Sequence, residues 1–140
     1  MNYLTPDFIC IYLIQYYTIL MEINAKGDNK MNINKNVVTN VINLSKKVDY
    51  SSADCQKAEK ELSDYLNSLD FETVKNLQTL MYLGRDEDYS KNDSFEERFY
   101  KYREYFDKRD WNTQEIEVGQ MTEKAPLAEY LENGVKIVGI

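Results

Sequence analysis

Apolar residues from Met31 onward recur at intervals of three and four positions, the spacing that gathers side chains on one face of an α-helix. The first such stretch covers residues 36–48, and the second ends near Leu69. In each of them asparagine, lysine and acidic side chains occupy the opposite face. The pattern predicts that residues 31–140 form one all-α domain, a small bundle of about five helices.

Capping residues mark where several of these helices begin. Asp70 and the pair Asn112-Thr113 each precede an apolar run and can accept a hydrogen bond from a free amide in the first turn. Ser94 and Glu97 have the spacing of a capping box, in which each side chain bonds the backbone amide of the other residue. Pro126 suits the start of the last helix because it has no amide hydrogen to satisfy.

Two glycines are predicted to end helices, because glycine adopts the left-handed conformation that closes a helix at little cost. Gly84 would end the third helix, and the second and third helices would then pair as a hairpin. Gly134 would end the last helix. Residues 135–140 (VKIVGI) would follow it as a short apolar tail that packs against the bundle or pairs weakly as a strand.

The first thirty residues differ in kind from the rest. Residues 8–21 are apolar on every side, yet fourteen residues are too few for a bilayer, which takes about 20. Residues 26–31 can be encoded by a purine-rich ribosome-binding sequence followed by an ATG codon. We expect translation to start at Met31, and not at Met1 or Met21, so that residues 1–30 are a translated leader. The alternative is an extra apolar helix, with Thr5 as its cap and Pro6 in its first turn.

The amino-acid composition indicates mainly which classes of function to exclude. The chain of 140 residues has no histidine, which removes imidazole-based triads and histidine-dependent metal sites. We therefore predict a protein that is not an enzyme, with no catalytic residue, metal or cofactor. Its two cysteines lack CxxC spacing, which favours a cytoplasmic location. The net charge of −7 argues against nucleic acid and membrane partners, since both favour excess Lys and Arg.

The most polar segment is the acidic loop at residues 85–93. Counted from Asp86, oxygen-bearing side chains fall at the ligand positions of a calcium-binding EF-hand loop, the last being Glu97. Lys91 occupies the position where the sharp turn needs glycine and would place a cation beside the ion. We therefore predict a solvated loop that ends in the capping box, without a metal.

Two segments carry a family resemblance. Residues 77–85 (LQTLMYLGR) and 125–134 (APLAEYLENG) resemble the motifs of a bacterial helical domain family of unknown function, over about residues 60–140. The resemblance implies a small helical domain and brings no activity with it. Asp86 departs from the pattern, because the family tends to have glycine there. Arg85 is expected to bond carbonyls at the helix end or a nearby carboxylate, the alternative being that it grips a partner's carboxylate or phosphate.

Aromatic residues outnumber what a small helical core needs. Tyrosine and tryptophan are favoured at binding hot spots, so we predict a non-catalytic protein-interaction domain, an adaptor or regulator with an unknown protein partner. The alternative structural role for these rings is half-burial at the rim of the core. The alternative function is that of an acidic decoy, encoded by a mobile element, which occupies a basic nucleic-acid-binding groove. The predicted contact residues are Tyr82, Arg85, Tyr89, Tyr100, Tyr105 and Trp111.

Overall fold

The computed structural model describes residues 10–19, 31–124 and 126–140, and all the regular secondary structure in these ranges is helical. The chain divides into two units, Met1–Asn32 and Ile33–Ile140. In the first unit, residues 10–19 form a helix with exposed aliphatic and tyrosine side chains. The expectations for Thr5, Pro6 and the segment before Met31 lie outside the described residues, so the leader stays a prediction. Within the described ranges, no helix combines the length and apolar character that crossing a membrane requires.

The second unit contains six helices. The all-α prediction is confirmed, and the predicted number of about five is one short for this unit, although both the short helix after Thr113 and the last helix at Pro126 are present as expected. In chain order the helices are α1 (Lys35–Lys46), α2 (Cys55–Ser68), α3 (Phe71–Asp86), α4 (Phe95–Lys108), α5 (Gln114–Thr122) and α6 (Leu127–Val138).

The predicted caps are in place at three helices. The Asp70 carboxylate accepts the Thr73 amide at 2.7 Å at the start of α3. Ser94 and Glu97 form both bonds of the capping box that opens α4. Thr113 caps α5. These local signals hold because a free amide in the first turn must find an acceptor regardless of how the helices pack.

Helix α3 is the centre of the core. It packs against α4, α5 and most extensively α6. Together with α6 it supplies the fully buried apolar side chains Val74, Leu77, Leu80, Met81, Leu83 and Leu131. Burial of such side chains is the main source of stability in a domain of this size, at roughly 1.5–3 kcal/mol for each.

The two glycines expected at helix ends lie instead within helices, where α3 and α6 cross. A Cβ on Gly84 would overlap the carbonyl oxygen of Tyr130, and a Cβ on Gly134 would overlap that of Leu80. Both predictions were wrong because glycine was needed for close backbone approach and not for a turn. Helix α3 runs on to Asp86, and Glu87 adopts the left-handed conformation with φ of 52°.

Two further expectations need correction. The residues predicted as an apolar tail do pack against the bundle, with Ile137 and Val138 buried, but they form the last part of α6, which is capped by Gly139 with φ of 68°. The predicted hairpin of α2 with α3 does not form, since α2 packs on α1 and α5. Leu69 and Asp70 are both extended, and this link directs α3 away from α2.

Helix α5 buries a different face from the one its hydrophobic residues indicate. Met121 is buried as its apolar character suggests, whereas Ile116 is 49% exposed. Glu117, next to it, is only 4% exposed. The face of α5 that packs against α2 and α3 carries Val118 and Met121, and Glu117 lies on that same face. A carboxylate therefore occupies a position that an apolar residue would normally fill.

Candidate functional site

A surface groove of about 690 Å³ lies between the last turn of α3 and the second half of α4. We call it the aromatic groove. It combines four aromatic rings with five charged side chains: Tyr82, Arg85, Asp86, Asp88, Lys101, Tyr102, Tyr105, Phe106 and Arg109.

Helix α4 supplies most of the groove through one face. Lys101, Tyr102, Tyr105, Phe106 and Arg109 are separated by steps of one, three, one and three residues, which keeps them on one side of a helix. Phe106 is at the centre of the aromatic rings. Its centroid lies 5.0 Å from that of Tyr82, 5.7 Å from Tyr102 and 5.3 Å from Tyr105. These are the separations at which aromatic pairs attract each other beyond simple burial.

The end of α3 holds its own charges in a fixed arrangement. The Arg85 Nε donates to Asp86 Oδ1 at 2.7 Å, and its guanidinium lies 4.6 Å from the ring centroid of Tyr82. The hydroxyl of Tyr102 donates to the other carboxylate oxygen at 2.8 Å. The bond from Arg85 lowers the pKa of Asp86, while burial followed by the bond to Asp86 raises the pKa of Tyr102. Arg85 thus pairs with a nearby carboxylate as expected. That carboxylate belongs to the last residue of α3 and not to the loop that follows.

The two basic side chains that α4 brings to the aromatic groove are also partnered. Lys101 pairs with Asp93 at 2.9 Å. Arg109 donates to the Tyr105 hydroxyl at 3.1 Å, with its guanidinium 5.5 Å from that ring. The lining therefore offers aromatic faces edged by charges of both signs. Such a lining suits a protein partner whose surface carries apolar groups and charges of both signs better than it suits a uniformly charged polymer.

Three of the six predicted contact residues line the aromatic groove, namely Tyr82, Arg85 and Tyr105. Trp111 lies beside it, with its ring 5.8 Å from Phe106. Tyr89 and Tyr100 do not line the groove. The Tyr89 ring stacks on Arg98 at 4.6 Å and Tyr100 packs edge-on against Phe99 at 5.4 Å.

A smaller pocket of about 260 Å³ adjoins the aromatic groove, and Tyr82, Phe106 and Arg109 line both. We call it the adjoining pocket. Its other lining residues come from the middle of α3, from α5 and from the link before α5: Gln78, Asp110, Trp111, Asn112, Glu117 and Gln120.

Two side chains of the adjoining pocket are buried and polar. Gln78 is 1% exposed, and its Nε2 reaches the Gln120 Oε1 at 3.5 Å, the limit for a hydrogen bond. Its Oε1 is buried without a hydrogen-bond partner among the described residues. Glu117 accepts the Asn112 amide at 2.9 Å but forms no ion pair with any described Lys or Arg. Buried polar groups normally have such partners.

An ion-pair network beneath the groove fixes α4 against α3. The Arg103 side chain is 13% exposed and bonds Glu72 at 2.8 Å and Asp107 at 2.9 Å, with a third bond to Asn76. The indole Nε1 of Trp111 donates to the same Asp107 oxygen at 2.7 Å. Asp107 thereby joins the end of α4 to the tryptophan of the adjoining pocket.

The positions of the EF-hand pattern are used in other ways. Asp86 bonds Arg85 and Tyr102, and Glu97 belongs to the capping box. In the part of the chain that the structure describes, no three His, Cys, Asp or Glu side chains gather as a metal-binding group.

Several lining residues were absent from the predicted contacts. Tyr102 and Phe106 belong to the aromatic-rich face of α4, and their spacing with Tyr105 on one side of that helix is visible in the sequence. Gln78 and Glu117 are harder to recognise from the sequence, where each is only a polar residue at a position that the helix packing turns out to bury. Their polar character becomes informative only once the packing of α3 and α5 is known.

No protein-family model, no curated protein and no solved structure matches this chain significantly. The resemblance to a bacterial helical family therefore remains a prediction.

Proposed function

We propose that this protein is a non-catalytic protein-interaction domain, an adaptor or regulator, which binds its partner through the aromatic groove. The observation that carries the proposal is the convergence of four aromatic rings and five charged side chains on one concave surface. Aromatic rings held in place by their neighbours lose little conformational freedom on binding, and this makes them effective anchors.

The exposure of the rings supports a role in binding a partner as well as in packing within the domain. Tyr105 is 54% exposed although it sits beside Phe106 in the ring cluster. Tyr82, Tyr102 and Phe106 are half-buried, so each presents part of its ring to the groove. A partner that covers Tyr105 would remove exposed apolar surface from water.

The test is affinity purification of the tagged full chain from its native host, followed by mass spectrometry, with Tyr105→Ala as the key variant. We expect wild type to retain a specific partner. The amount of partner retained by Tyr105→Ala should be at least about tenfold lower, as is common when an interface aromatic is truncated. Ile116→Ala is the matched control, because it removes a similarly exposed apolar side chain, 49% exposed, from α5. Equal retention by wild type and Tyr105→Ala, at equal expression and equal melting temperature, would contradict the proposal.

The acidic decoy is the second proposed function, and salt separates the two. Decoy binding depends on acidic side chains that face the basic groove of the partner, and it weakens steeply as ionic strength rises. The aromatic groove has three basic and two acidic side chains, which favours the first proposal over the decoy. We expect partner retention to change little between low and moderate salt, and a steep loss would favour the decoy instead.

A further inference from the structure

The adjoining pocket has a composition that the interaction function alone does not explain. Its polar side chains include the oxygen acceptors of Gln78, Glu117 and Gln120, and they lie next to three aromatic rings. The members that matter here are Gln78, Tyr82, Phe106, Trp111, Glu117 and Gln120.

Two of these acceptors are buried without full compensation. The Gln78 Oε1 has no partner among the described residues, and a buried acceptor left unpaired destabilises the folded state. The Glu117 carboxylate is buried with one backbone amide as its hydrogen-bond donor and no cation paired with it in the described part of the chain. Both groups would be satisfied by a ligand that brings several N–H donors and a positive charge.

The one basic side chain that lines the adjoining pocket is otherwise engaged. Arg109 lines the adjoining pocket, but its guanidinium lies over the ring of Tyr105 and donates to that hydroxyl at 3.1 Å. Asp110 and Glu117 outnumber this one basic residue in the lining. The local charge therefore favours a cationic guest.

We propose that the adjoining pocket receives an arginine side chain of the protein bound in the aromatic groove. A guanidinium presents five N–H donors in one plane and stacks on aromatic faces, so it matches amide and carboxylate acceptors set among rings. The inference rests on the proposed function, since Tyr82 and Phe106 line both cavities and a chain in the groove has direct access to the pocket.

The size of the pocket favours a side chain over a cofactor. Its volume of about 260 Å³ is below the roughly 300–1,000 Å³ of typical small-molecule sites. A single long side chain entering from the groove fits such a space.

Trp111 makes the inference directly measurable, because it is the only tryptophan of the chain and lines the pocket. The full chain is titrated with N-acetyl-arginine amide at constant ionic strength, following indole fluorescence and the indole N–H signal in NMR spectra. We expect a saturable change, and at least about tenfold weaker binding of the citrulline and lysine analogues, which lack the charge or the planar fork. No response, or equal binding of either analogue, would overturn the inference.

Two variants test the acceptors. Gln78→Met keeps an unbranched side chain and Glu117→Gln keeps an acceptor for the Asn112 amide, so each is expected to fold and to bind the arginine probe about tenfold more weakly. Glu115→Gln is the matched control, since it removes the same charge from an exposed site on α5 and should leave the affinity unchanged. Unchanged affinity in both test variants would overturn the inference.

This result is separable from the proposed function. If Tyr105→Ala loses the partner while the arginine probe fails to bind, the arginine site is overturned and the interaction function stands. If the probe binds but Tyr105→Ala retains its partner, the aromatic groove is overturned as the contact surface and the pocket retains its arginine specificity.

Discussion

Helix α3 takes part in two contacts of opposite character. At its crossing with α6, two glycines bring the backbones together over a fully buried apolar layer. At its contact with the end of α4, large half-buried rings and paired charges keep the helices apart and leave a groove. The same helix thus takes part in the most extensive interface of the domain and in a contact that leaves a groove. The first contact is filled by backbone and buried apolar side chains, whereas the second leaves rings partly exposed and adjoins the pocket that holds the unpartnered acceptor of Gln78.

The largest effect is expected from Gly84→Ala, which should destabilise the domain by about 3 kcal/mol or more. The added methyl group would meet the backbone carbonyl of Tyr130, which cannot rotate away as a side chain can. Thermal and urea unfolding measure the change.

Gly119→Ala is the control for this substitution. Gly119 lies within α5 with open space where a Cβ would be, so alanine should stabilise the domain by about 0.5–1 kcal/mol through helix propensity. A loss of stability in Gly119→Ala as large as in Gly84→Ala would show that close packing at the crossing is not the cause.

An intermediate effect is expected from Phe106→Ala, at about 2 kcal/mol. Phe106 contacts four other rings, those of Tyr82, Tyr102, Tyr105 and Trp111, but it is only half-buried. Tyr105→Ala, at the exposed edge of the same cluster, should cost less than about 0.5 kcal/mol. The free energy of unfolding of both variants is measured in urea. An equal decrease in Phe106→Ala and Tyr105→Ala would mean that Tyr105 stabilises the fold as much as Phe106 does, and is not mainly an exposed contact residue.

The smallest effect is expected from acid. The bond from Arg85 lowers the pKa of Asp86, and bonds from Arg103 and Trp111 outweigh burial to lower that of Asp107. Because the folded-state values are depressed, this stabilisation is complete above about pH 5 and is lost as the pH falls through them. Each carboxylate is partly exposed and contributes at most about 1 kcal/mol.

The acid effect should be local to the groove side of the molecule. We expect Trp111 fluorescence to change at a higher pH than the far-ultraviolet circular dichroism, because Trp111 bonds Asp107 directly. A simultaneous change of both signals would indicate that the groove and the α3–α6 crossing lose structure as one unit.

The aromatic spacing on α4 could be predicted because it repeats along one helix. The interpretation of Gly84 and Gly134 failed because their role depends on residues some fifty positions away, Tyr130 for the first and Leu80 for the second. The sequence could not distinguish a glycine that ends a helix from one that lets another helix approach. Similarly, Ile116 and Glu117 exchanged their expected environments because the buried face of α5 is set by where α2 and α3 lie.

The sequence by itself determined the all-α class, the caps at Asp70, Ser94 and Thr113, and the absence of imidazole chemistry. These depend on contacts within a few residues, or on composition, and so need no knowledge of the fold. Only the tertiary structure decided that α3 crosses α6 through glycines, that Tyr82 meets Phe106, and that Gln78 and Glu117 line one pocket. Each of those depends on the packing of helices distant in sequence, which no local pattern encodes.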